Sequence, residues 1–468
     1  MRAVLPAIVA LACAQSVGAQ IQEGTPGVIE GRPAAGATSP LQVLIDSAAP
    51  GALVEVPAGT YEGDIIIDRP LHLAGLGRPR LNGSGTGSVI RVRAADVLIE
   101  GFDIDGRRGG DLTRDTSGIH VAADRVTVRD CRVSDALFGV YVRDATDVVV
   151  EGCVIRGIPG RDPGEKGSGI HAYNTSGTRF ERNEIVDVRD GLYLQNSSNG
   201  LIRGNVVRDV RYGLHYMFSD DNVFEDNTFE RGDAGTAVMY SERIVFRRNR
   251  LIHNRGFASV GLLLQQCDDV LAEDNLIADN ARGIFIEGTN RNTFRRNIVA
   301  ESDVAIVHFA SAMQTRFEGN SFIGNLSPLS LVGKRVDTVF DGNYWSGNRE
   351  PDLDGDGRTD RPYRLASVFD HFRGNLTAAD LFVDGFAAAS LAVAEEAFPI
   401  LQPIEAEDHA PLAHPPRLDA VPRPRPVEQE ATVPPMALSA GAIAVGAGVL
   451  VRGRQGTRRR SPKRGGGP

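Results

Sequence analysis

The chain is poor in the residues that small stapled domains and bulky cores rely on. It has 4 cysteines and 1 tryptophan in 468 residues, and aromatics make up only 6%. So few cysteines exclude a disulfide-dense scaffold. Sparse aromatics beside 53 glycines fit many short turns around a thin core better than one bulky globule. The length allows one elongated domain or two to three compact ones. No GxSxG, HExxH, P-loop or dinucleotide fingerprint stands out. Cations are also short: 51 Lys and Arg against 60 Asp and Glu give a net charge of −9. Without Arg2 and the seven Lys/Arg of residues 452–468 the balance moves to −17. An acidic body of that kind argues against nucleic acid and suits cationic ligands.

The two ends read as processing and anchoring segments. Arg2, the apolar Leu5–Ala14 stretch and Val17-Gly18-Ala19 form a secretory signal over residues 1–19. A repeat domain is expected over 20–395 and a Pro-rich linker over 396–432. Residues 433–451 are uncharged, and the basic tail 452–468 follows them. Together they suggest a C-terminal membrane anchor with its tail on the cytoplasmic side.

What the chain does have is one repeated phrase. VVVEGCVI, TRFERNEI, GLIRGNVV, VFEDNTFE, IVFRRNRL, VLAEDNLI and NTFRRNIV are versions of it. Its key position falls at Asn183, Asn205, Asn227, Asn249, Asn275 and Asn297, then at Asn320 and Asn343. Cys131 and Cys153 hold the same place earlier. The spacing is mostly 22 residues, and the Gly160–Gly167 insertion lengthens one interval to 30. Short β-rich runs at this period predict an all-β parallel β-helix, in which each rung buries its apolar face only by stacking on the next. Residues 41–50 predict a capping helix. The recurring asparagine is expected to be structural, occupying a left-handed turn position and bonding its neighbours.

A second phrase carries the chemistry: GIHV, GVYV, GIHA, GLYL, GLHY, GLLL and GIFI. Side chains alternate along a strand, so flanking apolar residues point inward and the central residue outward. Aligned rungs give an outward stripe of His120, Tyr141, His171, Tyr193, His215, Met239, Leu263 and Phe285, with Met217 two residues past His215. Imidazole with thioether is a soft ligand set suited to Cu(I). His171 sits two rungs from His215, roughly 10 Å at one strand spacing per rung, so it belongs to a second site or a transfer path. The competing reading is a docking strip formed by Tyr141, Tyr193, Leu263 and Phe285, and the two readings can coexist.

Three weaker signals remain. Asp352, Asp354, Asp356 and Asp360 match the start of a calcium loop, but Tyr363 stands where an EF-hand needs glutamate. A bound Ca²⁺ and a solvated acidic turn fit equally. Cys131 and Cys153, one rung apart, suit either a disulfide or two stacked thiols. Asp187, Asp190, Asp209, Arg189 and Arg211 are the candidates for a polysaccharide-acting enzyme. They are scattered turn residues, and a solvated face explains them better.

GLHYMFSDDN, preceded by GLYLQNSSNGLIRGN and followed by NYWSGNREPDLDGDGRTDRPYR, resembles the NosD family over roughly residues 40–385. The resemblance implies a right-handed parallel β-helix in the periplasm that acts as an accessory and docking protein rather than an enzyme. It implies work with the ABC transporter NosF/NosY and the copper chaperone NosL in assembling the copper–sulfur centre of nitrous oxide reductase. Transient Cu(I) is then the expected cargo of His215, Met217 and Met239, with His171 and His120 as neighbours. A C-terminal anchor is not expected of every member of that family.

Overall fold

A computed structural model describes residues 39–365 and 406–422, apart from 111, 113–114, 257–258 and 334–336. The expected leader, anchor and tail (1–19, 433–451 and 452–468) lie outside the described residues. Among the described residues no helix is long and apolar enough to cross a membrane.

Each repeat folds as three short strands separated by sharp corners. One rung runs Leu201–Arg203, Val206–Arg208, then Tyr212–Met217. Rung strands pair in parallel with their counterparts one rung away, so Leu201 faces Val223 and Val206 faces Thr228; only Tyr363–Arg364 among the described strands runs antiparallel, to Glu407–Asp408. Among the described residues the result is three sheets of 15, 13 and 12 strands, each taking about every third strand of the chain. This is the expected β-solenoid. In most three-residue strands the middle residue points inward and is buried, as at Ile202, Phe224 and Phe246. Identical residues then stack: the Phe224 and Phe246 rings lie 4.9 Å apart at 12°. The helix Pro40–Ser47 closes the first rung with Leu41 and Ile45 buried beneath it.

The asparagine ladder forms, but not by the expected backbone route. The left-handed residue is the one before each asparagine: Arg182, Gly204, Asp226 and Arg248 have φ of 54°, 67°, 56° and 54°. That corner turns the asparagine side chain into the interior, where a left-handed φ is not needed. There each amide donates to the Oδ1 of the next rung. Asn183, Asn205, Asn227, Asn249, Asn275, Asn297, Asn320 and Asn343 are joined at 2.9–3.0 Å. Each Oδ1 also accepts the backbone N–H of the asparagine one rung earlier, as between Asn205 N and Asn227 Oδ1 at 3.0 Å. The ladder ends on a carboxylate: Asp408 Oδ2 accepts from Asn343 Nδ2 at 2.9 Å and from Trp345 Nε1 at 3.0 Å.

Asp408 corrects the domain expectation, because it falls inside the proposed 396–432 linker. Glu407–Asp408 adds a strand to the first sheet, and Leu418 and Val421 pack against Ile252 and Leu276. Residues 406–422 are therefore part of the folded body. Unmet backbone and ladder groups at the open end of the solenoid explain why a returning strand is needed there.

Cys131 and Cys153 take the ladder position in earlier rungs as free, buried thiols, not as a disulfide. Asn183 Oδ1 accepts the Cys153 N–H at 3.0 Å. Each thiol donates to a carbonyl two residues back, Arg129 O at 3.3 Å and Glu151 O at 3.4 Å. The two thiols also share a hydrogen bond with each other, as stacked neighbours rather than a covalent pair. Cys267 is a buried core thiol, as expected, and burial pushes its pKa up to about 12.

Candidate metal and docking site

The third sheet has the longest strands and carries the second phrase. Register places His120, Tyr141, His171, Tyr193 and His215 in one column. Above His215 comes Ala237, followed by Leu263 and Phe285. Met239 is therefore not in this column. It stands above Met217 in the next one. Gly213 and Gly235 are 22 residues apart, so counting from the glycine would have put Ala237 above His215. The stripe therefore continues through Ala237, two residues before Met239. The consequence is a methionine pair, Met217–Met239, at one strand spacing, with a small alanine leaving room above His215.

The column faces away from the apolar interior of the solenoid, yet it is not open. Tyr193, Met217, Met239, Leu263 and Phe285 form an apolar cluster of their own, and Tyr141 packs with Leu137 and Phe138. His215 is only 5% exposed. His171 is clasped between two rings, Tyr141 at 4.6 Å and Tyr193 at 4.3 Å, both nearly parallel to it. His120 meets Tyr141 edge-on at 5.3 Å.

His215 is held by a carboxylate. Asp190 Oδ2 lies 3.1 Å from its Nδ1. Arg211 grips the same carboxylate with two bonds, Nε to Oδ1 at 2.8 Å and Nη2 to Oδ2 at 2.6 Å. Burial alone would raise the Asp190 pKa, but His215 and Arg211 outweigh it and hold the group ionised, well below the usual range. Ring edges from Tyr193 at 4.8 Å and Tyr212 at 5.2 Å fix the imidazole plane. The other nitrogen, Nε2, is buried and has no hydrogen-bond partner. A buried orphan nitrogen costs about 1–3 kcal/mol, and the arrangement matches a metal-binding imidazole whose far nitrogen is oriented by a carboxylate. His171 Nδ1 is likewise buried and unpartnered. Burial lowers its pKa to about 3, so the ring stays neutral with a lone pair available. Burial also pushes Tyr193 up to about 12, and it remains a phenol that donates to Gln195 Oε1 at 2.8 Å.

The structure brings together what the sequence had scattered. Asp190 and Arg211 looked like separate turn residues; they form a buried ion pair that also holds His215. Their link could be read from the 22-residue period, because Arg189 and Arg211 share a rung position and Asp190 follows directly. The other acidic candidates are engaged elsewhere: Asp187 with Lys166, and Asp209 with Arg231 at 2.8 Å. In the acidic loop, Asp352, Asp354 and Asp356 bring one ligand atom each within 4.8 Å of one another. Asp360 does not join them; its carboxylate accepts the Leu353 N–H at 2.6 Å.

Residues 157–350, which contain the whole His171–Met239 region, match the family described as "Periplasmic copper-binding protein (NosD)". The chain is 36% identical over 377 residues to the "Probable ABC transporter binding protein NosD" of Stutzerimonas stutzeri, covering 76% of this chain and 86% of the relative. The protein of that name from Pseudomonas aeruginosa is 36% identical over 383 residues, covering 78% and 89%. Among solved structures, the Azotobacter vinelandii mannuronan C-5 epimerase AlgE6 A-module aligns with a TM-score of 0.56 at 16% identity, over 64% of this chain and 93% of that one. At that identity the likeness is one of fold alone. The two NosD relatives, alike along most of their length, show that this chain belongs to the NosD family.

Proposed function

We propose that this protein is an exported copper-handling and docking factor, which receives Cu(I) at His215 and the Met217–Met239 pair. The observation that carries the reading is the buried, unpartnered Nε2 of His215, with its Nδ1 held by Asp190. An unpaired imidazole nitrogen beside two thioethers is a soft donor set. The ion is cargo here, so the residues bind and release it rather than catalyse. His171, a neutral imidazole, lies farther down the column toward a second position, with His120 two rungs beyond it. The partners that fit are the ABC transporter NosF/NosY, the chaperone NosL and nitrous oxide reductase, whose copper–sulfur centre the cargo would serve. The relatives' name, ABC transporter binding protein, supports the transporter part.

Anaerobic Cu(I) titration of the purified chain tests this. Tight binding is expected, and a loss of at least about 100-fold in His215→Ala/Met217→Ala/Met239→Ala, since both donor types go. Equal affinity in the variant overturns the assignment. The polysaccharide-enzyme alternative has little support in the geometry, because its acidic candidates are spent in ion pairs. Ca²⁺ at Asp352, Asp354 and Asp356 is a separate and minor proposal, resting on their convergence.

A further inference from the structure

The long third-sheet strands bend at a left-handed residue near their C-terminal end. Asp144, Asn174, Asn196, Gln266 and Gly288 take this place with φ of 50–62°. Asn, Asp and Gly are the residues that adopt it at low cost. On the two rungs between Asn196 and Gln266 the same place holds Phe218 and Tyr240, with φ of 50° and 53°. They are the only phenylalanine or tyrosine at positive φ among the described residues. A bulky residue there is a genuine outlier, held against backbone strain. Burial does not compensate for it: Phe218 is 51% exposed and Tyr240 40%. Their rings stack at 5.0 Å and 11°. Each directly follows one member of the methionine pair in the chain.

The charges around this platform are unbalanced. Asp220, Asp221 and Glu242 share the single guanidinium of Arg243: Nε to Asp221 Oδ1 is 2.7 Å, Nη2 to Asp220 Oδ2 is 3.7 Å, and Glu242 is bound by Nη1. One rung on, Asp268 and Asp269 share Arg291. Exposed aromatic faces with an acidic fringe attract lysine and arginine, through ring faces and carboxylates alike. The same fringe repels a uronate polymer.

We propose that Phe218 and Tyr240 form the docking platform for a copper-carrying protein whose contact face bears lysine or arginine, and that this places the carrier's ion beside Met217 and Met239. The proposal rests on the copper reading above, and its test separates the two.

Phe218→Asn/Tyr240→Asn suits the test, because asparagine takes the same backbone on neighbouring rungs and folding is preserved. The probes are NosL as protein carrier, a small Cu(I) chelate, and an alginate hexasaccharide, each mixed with the full chain. Expected results are at least a tenfold weaker affinity for copper-free NosL in the variant, unchanged copper uptake from the chelate, and a thermal midpoint equal or higher. Wild-type affinity should also fall as salt rises. Unchanged NosL affinity, or no NosL binding by the wild type, overturns the platform. So does a loss of affinity accompanied by a lower thermal midpoint, which would mark a structural role. Hexasaccharide binding that the variant loses replaces the platform with a sugar site. If the wild type takes no copper from the chelate but the variant still loses NosL, the copper site falls and the docking surface stands.

Discussion

Two ladders run along this solenoid, and they treat polar atoms in opposite ways. In the asparagine ladder each buried amide meets the next, donor to acceptor, and the last is closed by Asp408. In the His/Tyr column of the third sheet, rings stack but polar atoms do not meet. His171 Nδ1 and His215 Nε2 stay buried and unbonded. Both ladders come from the same period and the same strand spacing. The first spends every hydrogen bond on stability. The second gives up about 1–3 kcal/mol per orphan nitrogen, which is expected of positions kept for a ligand.

Breaking each ladder should therefore move a different observable. The largest stability effect is expected from Asn227→Ala. It removes the acceptor for Asn205 N and Nδ2, and the donor to Ile202 O and Asn249 Oδ1. The expected loss is about 3 kcal/mol, read by denaturant unfolding, with Cu(I) affinity unchanged. A comparable fall in copper affinity would mean that the ladders are not independent.

Asp190→Asn sharpens the second ladder. The variant keeps the shape, but it loses the charge that orients His215 and pairs with Arg211. Second-shell changes of this kind typically reduce metal affinity by about 10–100-fold, and that range is expected here. Full retention of Cu(I) affinity would detach Asp190 from the site and leave it as a partner of Arg211 alone.

How much of this the sequence shows follows from the same contrast. The period, the asparagine ladder, the parallel solenoid and the His/Tyr column are legible because strict stacking places identical residues at a constant spacing. What escapes are relations that cross the phrase. Met239 stands over Met217 rather than His215, a register that shows only when Gly213 and Gly235 are aligned. Asp190 and Arg211 were read as solvated charges, because nothing local says that a corner residue will be buried against the next rung. Asp408 was hidden in a Pro-rich stretch, since a lone Glu407–Asp408 bridge has no pattern. Phe218 and Tyr240 were visible as letters; only the φ angle makes them unusual.

The smallest expected effect separates an imidazole held by a carboxylate from one that is not. His308 points into the core of the same sheet, between Ile286 and Leu331 in register. Its Nε2 lies 2.7 Å from Thr338 Oγ1, and no acid neutralises it. Burial lowers its pKa to about 4, from about 6.5 in the unfolded chain. Between those values the unfolded state binds a proton that the native state refuses, so stability falls as pH drops from about 6.5 toward 4. The expected loss is about 2 kcal/mol at pH 5. His308→Leu, matching its neighbours, should remove that part of the acid slope and leave Cu(I) binding at neutral pH unchanged. Denaturant unfolding at pH 7 and pH 5 reads it directly. An identical slope in wild type and variant would mean that the acid sensitivity arises elsewhere, with the neutral His171 in the outer column as the next place to substitute.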